Sequence, residues 1–257
     1  MPEPTFPLTT TWSLYALGST RGRRAGAPKD ALARWLLEHD PALAPGITPG
    51  SVLAMLRVRH DLVEALLAGV VGPRRHVLTL GCGFDTRWRR WQDRVGRWTM
   101  VDVAPVVGRM ERLIAASEHA STWRSVERVS ARPEAWAGDL APGAVVVAEG
   151  LATRCGPAAF RAVLARLSTA EDVRVIFDLP GFLADPPIAP SGGVQTLWRG
   201  ARRPAAGSLT TSELRAAGWT IEADIQHAGR PDVRGPGGVV FAPGVEAVRV
   251  LQLRSAG

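Results

Sequence analysis

Two glycines spaced Gly-x-Gly, Gly81 and Gly83, close the apolar run Val77-Leu78-Thr79-Leu80. A buried strand that empties into such a turn brings bare backbone up to a ligand, because a residue without Cβ accepts positive φ and permits close approach. A dinucleotide-binding turn would carry a third glycine at position 86, where Thr86 stands, so a pyrophosphate ligand is disfavoured. The next apolar run, Trp98-Thr99-Met100-Val101, ends in Asp102, about 20 residues beyond the turn, the separation at which an acid takes ribose hydroxyls. A nucleoside without phosphates satisfies both observations, and S-adenosylmethionine is such a ligand. Glu149 adds a second acid at the end of Ala144-Val145-Val146-Val147-Ala148, a run without polar alternation, as a central strand buried on both faces requires.

These groups need a scaffold that brings strand ends together. Strands are expected at Val77–Leu80, Trp98–Val103, Ser125–Ala131, Ala144–Ala148 and Val173–Asp178, with helices near Arg87–Arg94, Val106–Glu118 and Pro157–Leu167 between several of them. This alternation predicts an α/β architecture: a mainly parallel sheet with right-handed crossovers and helices on both faces. Ligands bind such sheets at the carboxyl edge, so Gly81, Gly83, Asp102 and Glu149 should converge there. Two last strands, Trp219–Gln226 and Glu246–Leu253, flank Gly229–Gly244 and should pair antiparallel. Thr210 and Glu213 have capping-box spacing at the start of a short helix ending at Gly218. Ahead of the sheet, helices are expected over Ala27–Glu38 and Ser51–Ala68, separated by the turn Pro45–Gly50 and followed by Gly69. Arg57, Arg59, His60 and Asp61 lie on or beside the apolar face of the second. Residues 1–26 read as an irregular arm, with Trp12, Leu14, Tyr15 and Leu17 as apolar exceptions. It docks on the outside or covers a pocket, Tyr15 then meeting substrate. The Pro- and Gly-rich stretch 181–209, carrying Trp198, follows the fifth strand and is positioned to cover the same edge.

The chain of 257 residues is 46% hydrophobic, enough for one packed domain in which residues 1–70 form the arm and helical cap and 71–257 the core. No apolar run is long enough to span a bilayer, and Met1-Pro2-Glu3-Pro4 does not open a signal peptide, so a cytoplasmic protein without a membrane partner is expected. Cys82 and Cys155 are too few for a disulfide framework and lack metal-ligand spacing; no metal is expected. A net charge of +7 and a pI near 10.9 raise nucleic acid as a partner. Lys29 is the only lysine, however, and the arginine clusters lie in three separate places, around 21–24, 87–97 and 199–203. That distribution fits solvated or structural charge, or an acidic ligand, better than a nucleic-acid stripe.

Leu80-Gly81-Cys82-Gly83-Phe84-Asp85-Thr86 followed by Arg90, Val101-Asp102, and Val147-Ala148-Glu149-Gly150-Leu151 together resemble the leucine carboxyl methyltransferase family, which includes bacterial O-methyltransferases of natural-product biosynthesis. The resemblance covers roughly residues 50–180. It implies a Rossmann-like class I methyltransferase fold with a seven-stranded sheet, and S-adenosylmethionine as cofactor. It further implies that Arg57, on a helix roughly two dozen residues before the turn, clamps the cofactor carboxylate, a task for which a planar guanidinium is suited. By the same resemblance Gly81, Cys82 and Gly83 admit the cofactor to the backbone, Asp85 orients the main chain, Asp102 with Val103 takes the ribose, and Glu149 with Gly150 lies near the amino group. The chain departs from the family twice. Val129-Ser130-Ala131-Arg132-Pro133-Glu134 replaces the usual Asp-Leu after the third strand, leaving Ala131 and Arg132 to line the adenine side through backbone. Thr153-Arg154-Cys155 stands where a tyrosine is usual, so Arg154 either meets an acidic substrate or lies on a helix surface.

Methyl transfer from a sulfonium is an in-line displacement. A carboxylate acceptor is already ionised, so positioning and desolvation suffice; a phenol or alcohol would need a base, for which Glu149, His60 and His227 are the titratable candidates. Arg154 stands beside Glu149 as a catalytic candidate, and Tyr15, His60, Arg154 and Trp198 are the candidate substrate contacts. The segment after the fifth strand is short for burying a protein tail, which points to a small molecule or short peptide. A repurposed cofactor-binding protein and an RNA methyltransferase are the competing readings.

Overall fold

The computed structural model describes residues 8–18, 30–44, 50–180, 209–227 and 248–255. Seven strands form one sheet: β1 His76–Leu80, β2 Arg97–Asp102, β3 Val126–Ser130, β4 Val145–Ala148, β5 Arg174–Pro180, β6 Trp219–His227 and β7 Val248–Ser255, in the order β3-β2-β1-β4-β5-β7-β6. β1 to β5 are parallel, with Leu78 opposite both Thr99 and Val146; β7 is antiparallel to β5 and to β6. The order reverses between β1 and β4, which opens a crevice beyond their carboxyl ends. Both strands are buried along their whole length, the consequence of helices on either face.

Period-two alternation divides the core. Val77, Trp98, Met100, Val126, Val145, Val147 and Ile176 face one layer, and Leu78, Leu80, Val101, Val146, Ala148 and Phe177 the other. Against the first pack α1 (Leu8–Gly18), α2 (Ala31–His39), α3 (Gly50–Val70), α4 (Arg87–Trp91) and α5 (Ala104–Ala115). The short α6 spans Ala120–Trp123. Against the second pack α7 (Leu151–Cys155), α8 (Pro157–Leu167) and α9 (Thr211–Ala216). Asp30 caps α2 by accepting from the Ala33 amide, and Thr210 and Glu213 form the expected capping box on α9.

One reading is corrected. Residues 8–18 are a helix, not irregular: α1 buries Leu14 and packs beside α2 and α3. Its three consecutive threonines are poor helix formers and it has no one-sided apolar stripe, so tertiary contacts supply what the local pattern lacks. Residues 1–7, 19–29, 45–49, 181–208 and 228–247 lie outside the described residues, and with them the remainder of the arm, the first turn of the helix expected from Ala27, the Pro45 turn, Trp198 and most of the proposed cover, and Gly229–Gly244. No helix among the described residues is long and apolar enough to cross a membrane.

Candidate active site

The turn after β1 owes its shape to Gly81 at φ 70° and Gly83 at φ 52°, values that cost a residue with a Cβ roughly 1–2 kcal/mol. At the end of the adjacent β2, Asp102 is 1% exposed. Its Oδ2 accepts from the Gly83 amide at 2.8 Å and its Oδ1 from the Val103 amide at 2.8 Å. Val103 is the one large apolar side chain exposed among the described residues, beside a carboxylate that backbone donors hold in place. Beyond it the Ala131 amide donates to the Asp102 carbonyl at 2.9 Å. Arg132 is exposed and grips Glu134 Oε1 with two nitrogens, at 2.8 and 2.6 Å. Cys82 is buried in the turn. Burial, with Asp102 and Asp85 nearby, pushes its thiol well above the ordinary value, which removes it as a nucleophile.

Glu149, at the end of β4, is the centre of a buried ionic cluster. Arg59 Nε donates to its Oε1 at 2.8 Å and Arg87 Nη2 to its Oε2. Arg87 also donates through its amide and Nε to Asp85 Oδ1, at 2.9 and 3.0 Å. Arg59 reaches on to Asp178 Oδ2 at 3.3 Å and to Ser13 Oγ, on α1, at 2.7 Å. Asp178 Oδ1 accepts from the amide of Gly150, whose φ of 73° turns the chain from β4 into α7. On the outer side Arg90 joins Asp30, Glu64 and His60. Five carboxylates thus meet three guanidiniums, an excess of negative charge that favours a cationic ligand nearby.

The charges tune one another. Burial pushes the Glu149 carboxyl up, but Arg87 and Arg59 outweigh it and hold it down to about 2. For Asp178 burial dominates and its carboxyl is raised despite Arg59. Burial lowers Arg59 and Arg87, yet their carboxylate partners leave both raised. His60 Nε2 lies 3.0 Å from Arg90 Nη2 and 3.4 Å from Glu64 Oε1. Its Nδ1 has no hydrogen-bond partner and faces Glu149 Oε2 at 3.9 Å.

Of the residues singled out in the sequence, Gly81, Cys82, Gly83, Asp85, Asp102, Val103, Glu149 and Gly150 lie together at the carboxyl edge, and His60 joins them from α3. Arg154, on α7, reaches back over the turn to 3.7 Å from Asp102 Oδ2. The arginine that meets Glu149 is Arg59; Arg57, two residues earlier on α3, is half-buried. Tyr15 is half-buried against the core from α1, and the His227 backbone pairs with Val248 in β6. Arg59, Arg87 and Asp178 went unnominated in the sequence. Helical spacing was a usable signal for Arg59, which lies three residues from both Leu56 and Leu62 on the buried face, and the strand-end rule applies to Asp178 as it does to Glu149.

No family model and no curated protein matches the chain. Solved structures do. The magnesium protoporphyrin IX methyltransferase of Synechocystis PCC 6803, with bound SAM, is 14% identical over 98% of both chains, with a TM-score of 0.52. The N-methyltransferase NodS of Bradyrhizobium japonicum WM9, in complex with S-adenosyl-L-homocysteine, is 12% identical over 97% of this chain and 100% of its own, at 0.51. The fold is that of the class I methyltransferases. A possible exported protein from Bordetella parapertussis shares it, 15% identical over 96% of this chain and 79% of its own, at 0.57. In the methyltransferase fold seen here, the crevice between β1 and β4 is where the glycine turn, Asp102 and the Glu149 cluster meet.

Proposed function

We propose that the protein is an S-adenosylmethionine-dependent O-methyltransferase acting on a carboxylate of a small molecule or short peptide, of the leucine carboxyl methyltransferase type. The observation that carries the reading is Asp102, buried and braced by the Gly83 and Val103 amides at the end of β2. It stands beside a glycine turn of positive φ and an exposed apolar Val103. Backbone clearance, an oriented acid for a diol, an apolar flank for a base and surplus negative charge for a cation suit the cofactor's parts.

Asp102 would hold the ribose hydroxyls, Val103 and Ala131 would flank the base, and the turn would admit the amino-acid end, with Arg57 as its carboxylate clamp. Bound there, the cofactor supplies an electrophilic methyl group; the chain's own contribution is to orient donor and acceptor in line and exclude water. Glu149, held ionised down to about 2, is too weak a base to take a proton near neutrality, which supports an acceptor ionised in advance.

Isothermal titration with S-adenosylhomocysteine, followed by label transfer from methyl-labelled cofactor to a panel of carboxylic acids and their alcohol counterparts, tests the reading. Binding and base-labile label on the acids alone is expected. Absent binding overturns the whole reading; label on alcohols or amines overturns only the acceptor. Binding without transfer to any acceptor in cell extract favours a repurposed cofactor-binding protein, the reading to which a cradle covered by Arg154 lends most support.

A further inference from the structure

We infer that Arg154 is a resident cation that closes the nucleoside cradle by pairing with Asp102, and that the donor must displace it to bind. The inference rests on the proposed reading of that cradle and adds its regulation.

Arg154 Nη1 stands 3.7 Å from Asp102 Oδ2, while Nη2 lies against the bare face of Gly81, where an added Cβ would collide with it. The Leu151 side chain approaches the same point at 3.4 Å, so the room that Gly81 leaves is filled by the guanidinium. Exposure runs the same way. The Arg154 side chain is 30% exposed and that of Asp102 only 1%: the acid is buried beneath its cation. Apart from backbone donors, Arg154 is the one cation within ion-pair distance of Asp102 among the described residues.

The pair is built to be broken. At 3.7 Å it is an ion pair without a hydrogen bond, partly in solvent, and such pairs are weak and screened by salt. A ribose diol offers the same carboxylate direct hydrogen bonds, which are stronger. Arg154 lies one turn into α7, on a flexible side chain, so it can leave without backbone movement, and Glu134 lies near enough to be lowered in part by its charge. Like-charge repulsion acts in the same sense, since a sulfonium and a guanidinium cannot share one cradle without it.

The experiment compares wild type with Arg154→Gln and Arg154→Lys by calorimetric titration of S-adenosylhomocysteine, and of adenosine as a neutral probe that carries only the base and the diol. At low salt Arg154→Gln should bind both about 2–5-fold more tightly, while Arg154→Lys stays near wild type. Between about 50 and about 500 mM salt the advantage of Arg154→Gln should shrink towards one, because salt releases the wild-type pair. Equal or weaker binding by folded Arg154→Gln, or an advantage indifferent to salt, overturns the gate. If Arg154→Gln does not fold, the wild-type trend decides: adenosine affinity that rises with salt supports the gate, and a flat or falling trend overturns it. Failure of wild type to bind either ligand removes the cradle reading together with the gate, whereas wild-type binding without a gain in Arg154→Gln removes the gate alone.

Discussion

Glu149 carries more of this site than any other single side chain, and its protonation state can be read in the stability of the fold. Two arginines lower its carboxyl from the ordinary 4.5 to about 2. A depressed carboxylate stabilises the fold fully above its unfolded value, and that stabilisation is lost as pH falls from 4.5 towards about 2; the shift corresponds to about 3 kcal/mol. Asp178, raised by burial, works with the opposite sign and offsets part of it. Urea unfolding of wild type should therefore weaken across that window, and Glu149→Gln should flatten the slope while costing about 3–5 kcal/mol at neutral pH, because Arg59 and Arg87 lose their shared partner. A second comparison separates two arginines. Arg59→Ala should lower stability by about 3–5 kcal/mol, since it strips a buried partner from both Glu149 and Asp178. Arg57→Ala, which removes no partner from Glu149 or Asp178, should cost less stability than Arg59→Ala and weaken S-adenosylhomocysteine binding by about 2–4 kcal/mol. Unaltered affinity in Arg57→Ala would move the clamp elsewhere on α3. In the sequence the R-x-R pair is ambiguous at this level: both arginines stand the right distance before the turn, and only the angle at which α3 meets the sheet separates them.

At the scale of elements, local pattern served well where burial is one-sided or complete. The β1 to β5 strands, the antiparallel last pair, α8 and the capping box of α9 lie where alternation and spacing placed them, within a residue or two. α5 stops at Ala115, short of Glu118, and α6 follows it, a break that no strong stop signal announces. α1 was missed because threonine-rich helices are held by neighbours and not by propensity. The link from β4 to α7 offers a test of its own. Gly150, at φ 73° with its amide bonded to Asp178, should tolerate alanine poorly, with Gly150→Ala costing about 1–2 kcal/mol in thermal unfolding. A variant as stable as wild type would mean that this turn relaxes without strain. Asp30 ties α2 to α4, as cap of the first, acceptor from Thr86 Oγ1 at 2.6 Å and partner of Arg90.

For the whole molecule, the +7 net charge is the property most open to misreading. Many described arginines are turned inward or paired: Arg59, Arg87 and Arg249 are buried, and Arg90, Arg109, Arg128 and Arg174 each meet an acid. Binding to a generic RNA should accordingly be weak; tight, strongly salt-dependent RNA retention in a filter assay would reverse that expectation. The parallel α/β sheet, the glycine turn and the two acids at strand ends are legible along the chain, because period, glycine and strand-end position are properties of short segments. Which of two neighbouring arginines meets Glu149, that Asp178 and Ser13 join the cluster, and that Arg154 lies across Gly81 onto Asp102 emerge from packing alone. These contacts join residues far apart in the chain, and they follow from how helices are rotated against the sheet, an angle that no local pattern records.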